Sequence, residues 1–351
     1  MKFYAPDKEP WKDTKKAARV TLRIARSNAR RTMPPMFPQW KHLLVCAAAI
    51  QLTRASACST CGCSFNSDWE SQGLATGSGF RYDLRFDTFT QNQMRLGTDI
   101  ANPWPAAGHE QELYTRNHYT TVGLDYSPSE NWGINLQVPY IERTHATNGV
   151  IGLGTDDGTS SASGLGDLRL TVRYQGFNPG HDVGVQLGLK LPTGGFHQTF
   201  NGGSLAGDAL DRGLQLGTGT TDLLVGVFRF GQLGTQFDYF AQALAQVPLN
   251  SREDYRTGKS LNLNLGFRYL GFGNVIPQLQ LNGKISSRDA GANASPDDSG
   301  GRTLTVSPGV AFPVTSNVRG YAFWQLPVYQ NLNGYQLAPK SLLTIGARIE
   351  Y

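Results

Sequence analysis

The feature that most constrains this chain is an alternation of apolar and polar side chains that recurs through residues 79–351. Successive side chains of a strand point to opposite faces, so a period of two indicates an extended segment with one apolar face and one polar face. In the first such segment Phe80, Tyr82 and Leu84 share one face, and charged residues separate them. No stretch after residue 57 shows sustained helical periodicity or the roughly 20 apolar residues of a membrane-spanning helix.

Segments of this kind, bounded by Gly, Pro, Asn, Asp and Ser, predict twelve strands. The predicted strands span residues 79–92, 113–126, 132–144, 165–176, 182–192, 221–231, 235–248, 260–270, 275–287, 302–314, 317–328 and 340–351. The connections between them alternate strictly in length. Long connections lie near residues 93–112, 145–164, 193–220, 249–259, 288–301 and 329–339. Short connections lie near residues 127–131, 177–181, 232–234, 271–274 and 315–316.

The alternation of long and short connections discriminates between two all-β folds. A soluble sandwich can show the same period of two, but it gives no reason for connections that alternate in length. Outer-membrane barrels have long extracellular loops and short periplasmic turns. The sequence therefore predicts an all-β fold, a closed antiparallel transmembrane β-barrel of about 12 strands with an N-terminal signal segment. Both termini are expected in the periplasm.

The last predicted strand resembles the assembly signal of outer-membrane β-barrels. That signal is a polar residue, a Gly two positions later, a hydrophobic residue three further on and a final aromatic residue. The residues that fit it are Thr344, Gly346, Ile349 and Tyr351. The resemblance implies recognition by the barrel-assembly machinery and a location in the lipid of a Gram-negative outer membrane.

The front of the chain divides at residue 57. Residues 41–57 combine a basic start, an apolar run of about ten residues and an Ala-x-Ala site, which is the pattern of a secretory signal peptide. Residues 1–57 are thus predicted to be a basic lead and signal peptide, whose true start is Met33 or Met36; a basic amphipathic targeting helix is the alternative. This segment holds 12 of the 32 basic and 3 of the 27 acidic residues, so the remainder carries a formal charge of about −4. The basic pI is therefore no evidence for nucleic-acid binding.

Three cysteines follow the predicted cleavage site in the spacing C-x-x-C-x-C, namely Cys58, Cys61 and Cys63. No cofactor is certain, but thiolates this close can converge on a soft metal such as Cu or Zn, or take part in redox chemistry. A disulfide within the cluster and lipidation of Cys58 are the other open interpretations. Residues 58–78 are predicted to be a periplasmic segment or a plug, and residues 79–351 the barrel.

Three further segments resemble a bacterial outer-membrane channel family associated with the degradation of aromatic compounds, of the phenol-degradation MetA-pathway type. They are Gly164–Tyr174, Leu187–Gly195 and Gly217–Asp222. The resemblance covers residues 80–351 and implies a channel rather than an enzyme. Locally, the glycines of Gly166-Asp167 and Thr193-Gly194-Gly195 are expected to supply positive φ, Asp167 to cap the backbone, and Pro192 to end strand pairing.

Charged residues on the polar faces predict the lining of the lumen. They are Arg81, Arg85, Asp83, Asp87, Arg169, Arg173, Lys190, Asp238, Arg268, Lys284, Arg319 and Arg348. One interpretation is a solvated lumen in which these charges pair, as Arg85 can with Asp83 or Asp87. The other is a weakly anion-favouring passage, because rings of charge set the selectivity of pores.

The resulting functional prediction is a channel or transporter for a small solute: an aromatic compound, an anion or a metal-related species. A structural barrel that docks a periplasmic redox or metal-handling partner through the cysteine segment is the alternative. A lipolytic enzyme is a third class, but only His118 lies well inside a predicted strand and no Ser-plus-Asn pattern completes a triad. No catalytic residue is therefore predicted.

Overall fold

The computed structural model describes residues 77–101, 110–150 and 156–351, and these residues form strands joined by turns and loops. The strands are β1 Gly79–Gly97, β2 Asp99–Ile100, β3 Glu110–Ser127, β4 Trp132–Val150, β5 Gly158–Leu165, β6 Leu168–Tyr174, β7 Val183–Leu191, β8 Gly202–Gly203, β9 Asp222–Leu233, β10 Phe237–Pro248, β11 Ser260–Tyr269, β12 Ile276–Ser286, β13 Gly301–Pro313 and β14 Val318–Glu350. A short 3₁₀ turn covers Arg212–Leu214. Within the described residues, no helix is long and apolar enough to cross a membrane.

The strands close into an antiparallel ring. Its order is β1, β14, β13, β12, β11, β10, β9, β7, β6, β4 and β3, and β3 returns to β1. β14 supplies two of the barrel strands, because its first half pairs with β13 and its second half pairs with β1. The chain reverses at Asn333-Gly334, where Gly334 has a φ of +60°. The ring thus has twelve barrel strands, as the alternation of apolar and polar side chains predicts.

Two of the long connections predicted from the sequence are wrong in extent. Residues 329–339 are strand, because the chain reverses within a few residues at Asn333-Gly334 and needs no long loop there. Residues 145–150 prolong β4, and Gly158–Leu165 pairs with β4 as β5. The remaining long connections all lie at one end of the ring, here called the long-loop end. The short turns lie at the opposite, short-turn end.

The two faces of the wall differ in chemistry in the way the period of two predicts. The outer face is apolar and exposed, as Phe80, Leu84 and Ile345 show at 51%, 56% and 50% exposure. The inner face is polar and buried, because Asp87 and Thr344 are only 2% and 0% exposed. A polar interior inside an apolar wall is the arrangement of a membrane-spanning barrel.

Aromatic side chains cluster on the outer wall near the short-turn end. Phe80 stacks on Tyr126 with ring centroids 4.3 Å apart. Trp132 packs against Tyr174 at 4.7 Å. The same grouping recurs further round the ring, in Phe237, Tyr269 and Phe272. Such a belt is the position of interfacial aromatic residues in outer-membrane barrels.

Candidate functional site

The connection between β7 and β9 enters the barrel, and we call residues 193–220 the inserted segment. Its Leu216 is buried against Phe89, Tyr119 and Leu342, which are inward-facing residues of β1, β3 and β14. Arg143 of β4 also points inward and donates from one guanidinium nitrogen to the carbonyls of Gly213 (3.1 Å) and Gln215 (2.9 Å). The segment therefore enters the lumen and packs on inward-facing residues of the wall.

The inserted segment is fastened near its own strands by Asp167, which lies between β5 and β6. The Asp167 carboxylate accepts hydrogen bonds from the backbone N–H of Gly194 (3.1 Å) and of Thr218 (3.0 Å). It also accepts the Thr218 hydroxyl at 2.8 Å and pairs with the Lys190 ammonium at 2.8 Å. Asp167 therefore caps backbone N–H groups, as predicted. Its contacts also join the three motif segments, which are far apart in sequence.

The glycines of these motifs have a different role from the one expected. Gly166, Gly194 and Gly195 do not have positive φ, so that expectation is wrong. Gly194 allows backbones to touch instead: a Cβ on Gly194 would lie 2.7 Å from the Cα of Gly217 and 3.0 Å from the carbonyl carbon of Gly166. A Cβ on Gly166 would lie 2.6 Å from the Ile141 side chain. Close backbone approach is the second common reason for glycine. Pro192 follows the last residue of β7, as expected.

A cavity of about 260 Å³ remains between the inserted segment and the inner wall. Its apolar side comprises Tyr119, Pro139, Ile141 and Leu216. Its charged lining residues are Arg85, Arg143, Arg169, Lys190, Arg212, Lys284, Asp87, Asp167 and Asp289. The cavity is therefore amphipathic, with six basic and three acidic side chains beside an apolar patch.

Loops at the long-loop end contribute to the lining of the cavity. Asp289 accepts hydrogen bonds from the Tyr255 hydroxyl (2.9 Å) and from the backbone N–H of Gly258 (2.7 Å). Burial nevertheless raises the pKa of the Asp289 carboxyl above its ordinary value. Glu253 makes a 2.9 Å hydrogen bond with His197 of the inserted segment, and this bond lowers the pKa of the Glu253 carboxyl. The inserted segment is therefore tied to the next loop as well.

The side chains predicted to line the lumen fall into three groups by exposure. The buried ones are Asp83, Arg85, Asp87, Arg173, Lys190 and Arg348. The half-buried ones are Arg81, Arg169, Asp238, Arg268 and Lys284. Arg319 alone in this set is exposed, and it lies at the short-turn end of the ring, next to the turn that precedes β14.

Most of these charges form pairs, as one interpretation of the sequence expected. Arg85 binds Asp87 at 2.8 Å, and Arg268 binds Asp238 at 2.7 Å. Asp83 lies 3.6 Å from Arg348 and accepts the Tyr321 hydroxyl at 3.0 Å. The Arg85–Asp87 pair was among those proposed from the sequence.

Sequence reasoning missed a chain of neutral side chains on the inner wall. Gln242 donates to Gln186 (2.8 Å), Asn264 donates to Gln242 (2.8 Å), and Asn282 donates to Asn264 (3.0 Å). The Ser307 hydroxyl completes the chain with a 2.8 Å bond to Asn282. This amide belt runs from β7 to β13 and links side chains of five strands. Its signal was the recurrence of Gln and Asn at inward positions, which charge-based reasoning passed over.

The predicted cysteine cluster of Cys58, Cys61 and Cys63 lies outside the residues that the structure describes. Within residues 77–101, 110–150 and 156–351, no group of three or more His, Cys, Asp or Glu side chains is placed to hold a metal. His118 faces the outer wall and stacks on Phe86 at 5.8 Å.

A closed β-barrel with a polar lumen, narrowed by a segment folded into it, belongs to the bacterial outer-membrane class. The family model described as "Putative MetA-pathway of phenol degradation" matches residues 106–334. Since this match covers more than half of the chain, the chain belongs to that family, and the predicted resemblance is confirmed.

One solved structure, with a TM-score above 0.5, shows the same fold. An outer membrane channel from Pseudomonas putida F1 matches with a TM-score of 0.59 at 14% identity, over 79% of this chain and 97% of that one. The toluene transporter TbuX from Ralstonia pickettii matches with a TM-score of 0.41 at 11% identity, over 80% and 91% of the two chains. The translocator domain of the autotransporter NalP from Neisseria meningitidis gives 0.44 at 11%, over 80% and 92%. A comparison with curated proteins finds no match.

Proposed function

We propose that this protein is an outer-membrane channel that passes small aromatic solutes. The observation that carries the proposal is the lumen cavity of about 260 Å³, whose apolar side is formed by Tyr119, Ile141 and Leu216. Ligand pockets are mostly apolar, with a few polar groups that orient the ligand. Membership of a family named for phenol degradation agrees with a one-ring solute.

The orientation of the barrel and the processing of the chain are part of the proposal. The short-turn end faces the periplasm, because outer-membrane barrels place short turns there. Residues 1–57 direct export, and residues 58–78 remain on the periplasmic side. The signal for barrel assembly consists of Thr344, Gly346, Ile349 and Tyr351, at the end of the chain that pairs with β1 and closes the ring.

Conductance measurements test this proposal. The purified full chain in planar lipid bilayers is expected to give small single-channel steps in potassium chloride, because the inserted segment narrows the lumen. Phenol at millimolar concentration is expected to reduce these steps, whereas glucose at the same concentration is not. Absence of any conductance would overturn the channel, and equal effects of phenol and glucose would overturn the aromatic preference.

A substitution at Leu216 tests the apolar side of the cavity. Leu216→Asn is expected to weaken the phenol block about tenfold, because burial of a leucine side chain is worth roughly 1.5–3 kcal/mol and 1.4 kcal/mol is a factor of ten. Leu205→Asn is the matched control, since Leu205 lies in the same segment but packs against Phe200 outside the cavity. Equal block in both variants would rule out Leu216 as part of the solute site.

A further inference from the structure

The charges that line the cavity do not cancel. Among its three acidic side chains, Asp87 pairs with Arg85, and Asp167 pairs with Lys190. Asp289 is engaged by Tyr255 and Gly258. Arg212 pairs with Glu253, so Arg143 and Arg169 are the cavity arginines for which no carboxylate of the described residues forms an ion pair, and their charge favours an anion.

Arg143 is a poor candidate to bind that anion, because its guanidinium is already used. It donates to the Asn117 side chain (2.7 Å), to the Tyr119 hydroxyl (2.7 Å) and to the two carbonyls of the inserted segment. All four acceptors are neutral. Arg143 therefore adds positive charge to the cavity but works chiefly as a structural clamp.

Arg169 is the cavity arginine whose N–H donors make the fewest hydrogen bonds among the described residues. Its one hydrogen bond is a long one of 3.5 Å to Gln246, and no carboxylate among the described residues pairs with it. The carboxylate of Asp222, on the neighbouring part of the wall, is occupied by Thr220, Gln246 and Lys190. Arg169 is half-buried and lines the cavity, so its remaining N–H groups are available to a solute.

The apolar patch lies in the same cavity as Arg169. Tyr119, Pro139, Ile141 and Leu216 present ring and aliphatic surface, and the Tyr119 ring is itself fixed by stacking on Phe89 at 5.8 Å. A cavity of about 150 Å³ is sufficient for benzene. The volume of about 260 Å³ therefore accommodates one aromatic ring and a small charged substituent.

We infer that the cavity is a binding site for aromatic carboxylates, with the carboxylate on the Arg169 guanidinium and the ring against Tyr119, Ile141 and Leu216. The planar guanidinium of arginine can hold a carboxylate through two parallel N–H···O bonds. This inference rests on the proposed channel function and names its solute class. Inorganic anions lack the ring and neutral phenols lack the carboxylate, so each uses only half of the site.

Binding of benzoate to the purified full chain tests this inference without requiring that the protein conduct. Calorimetric titration of the micellar protein with sodium benzoate is expected to show one site, with acetate and phenol each binding more weakly. Arg169→Gln is expected to weaken benzoate binding about tenfold or more, because it removes the charge-assisted hydrogen bonds to the carboxylate. Arg169→Lys keeps the charge but not the two-pronged geometry, so we expect an intermediate affinity.

The matched control is Arg302→Gln, which makes the same change at an exposed arginine near the start of β13 that does not line the cavity. Equal benzoate affinity in wild type and Arg169→Gln would overturn the inference, provided that circular dichroism shows an intact barrel in both. Acetate binding as tight as benzoate would reduce the site to one for anions in general. Failure of the channel function alone would show instead as benzoate binding without conductance.

Discussion

Excision of the inserted segment is expected to raise the single-channel conductance severalfold. The segment lies in the lumen, where its Leu216 belongs to an apolar cluster with Phe89, Tyr119 and Leu342 of the inner wall, so its removal leaves a twelve-strand barrel without this obstruction. Residues 196–216 can be removed with little strain, because the N–H of Gly217 already bonds the carbonyl of Gly195 at 2.8 Å. A single glycine joins the two ends. Planar-bilayer recordings in potassium chloride measure the change.

The control is a shorter excision from another long loop. Residues 292–295 are exposed or half-exposed and do not line the cavity, so their removal is expected to leave the conductance unchanged. The ladder between β7 and β9 is continuous from Val183–Arg229 to Lys190–Asp222 and does not depend on the segment. An unchanged conductance after removal of residues 196–216 would mean that the obstruction lies elsewhere in the lumen.

The strands could be predicted from the sequence because their signal is local. Side-chain period, turn residues and connection length are properties of neighbouring positions, and they predicted all twelve barrel strands. The hairpin at Asn333-Gly334 was missed although Asn-Gly is a strong hairpin signal, because the surrounding residues were assigned to a loop by the alternation of lengths.

The inserted segment could not be placed from the sequence, since its position depends on contacts between distant residues. Asp167 meets Gly194 and Thr218 only after β6, β7 and β9 have paired. One signal was present nonetheless. Phe89 and Leu342 are apolar residues at inward positions of otherwise polar faces, and an apolar side chain in a polar lumen indicates that something packs against it there.

A second large effect is expected at the short-turn end, where one carboxylate holds two arginines. Asp125 of β3 binds Arg81 at 2.9 Å and Arg173 at 2.7 Å, and all three side chains are at most 10% exposed. Removal of one partner from a buried ion pair leaves an uncompensated charge and costs roughly 3–5 kcal/mol. Asp125→Ala is therefore expected to lower the free energy of unfolding by about this amount, measured by denaturant titration of the purified protein in micelles.

Asp297→Ala provides the comparison for that measurement, because it removes the same group from an exposed pair. Asp297 lies 3.2 Å from Arg288, but its side chain is 98% exposed. Exposed pairs contribute about 0–1 kcal/mol, since water and salt screen them. The difference between the two variants isolates burial from charge, and equal stabilities would mean that water reaches the arginines of the short-turn end.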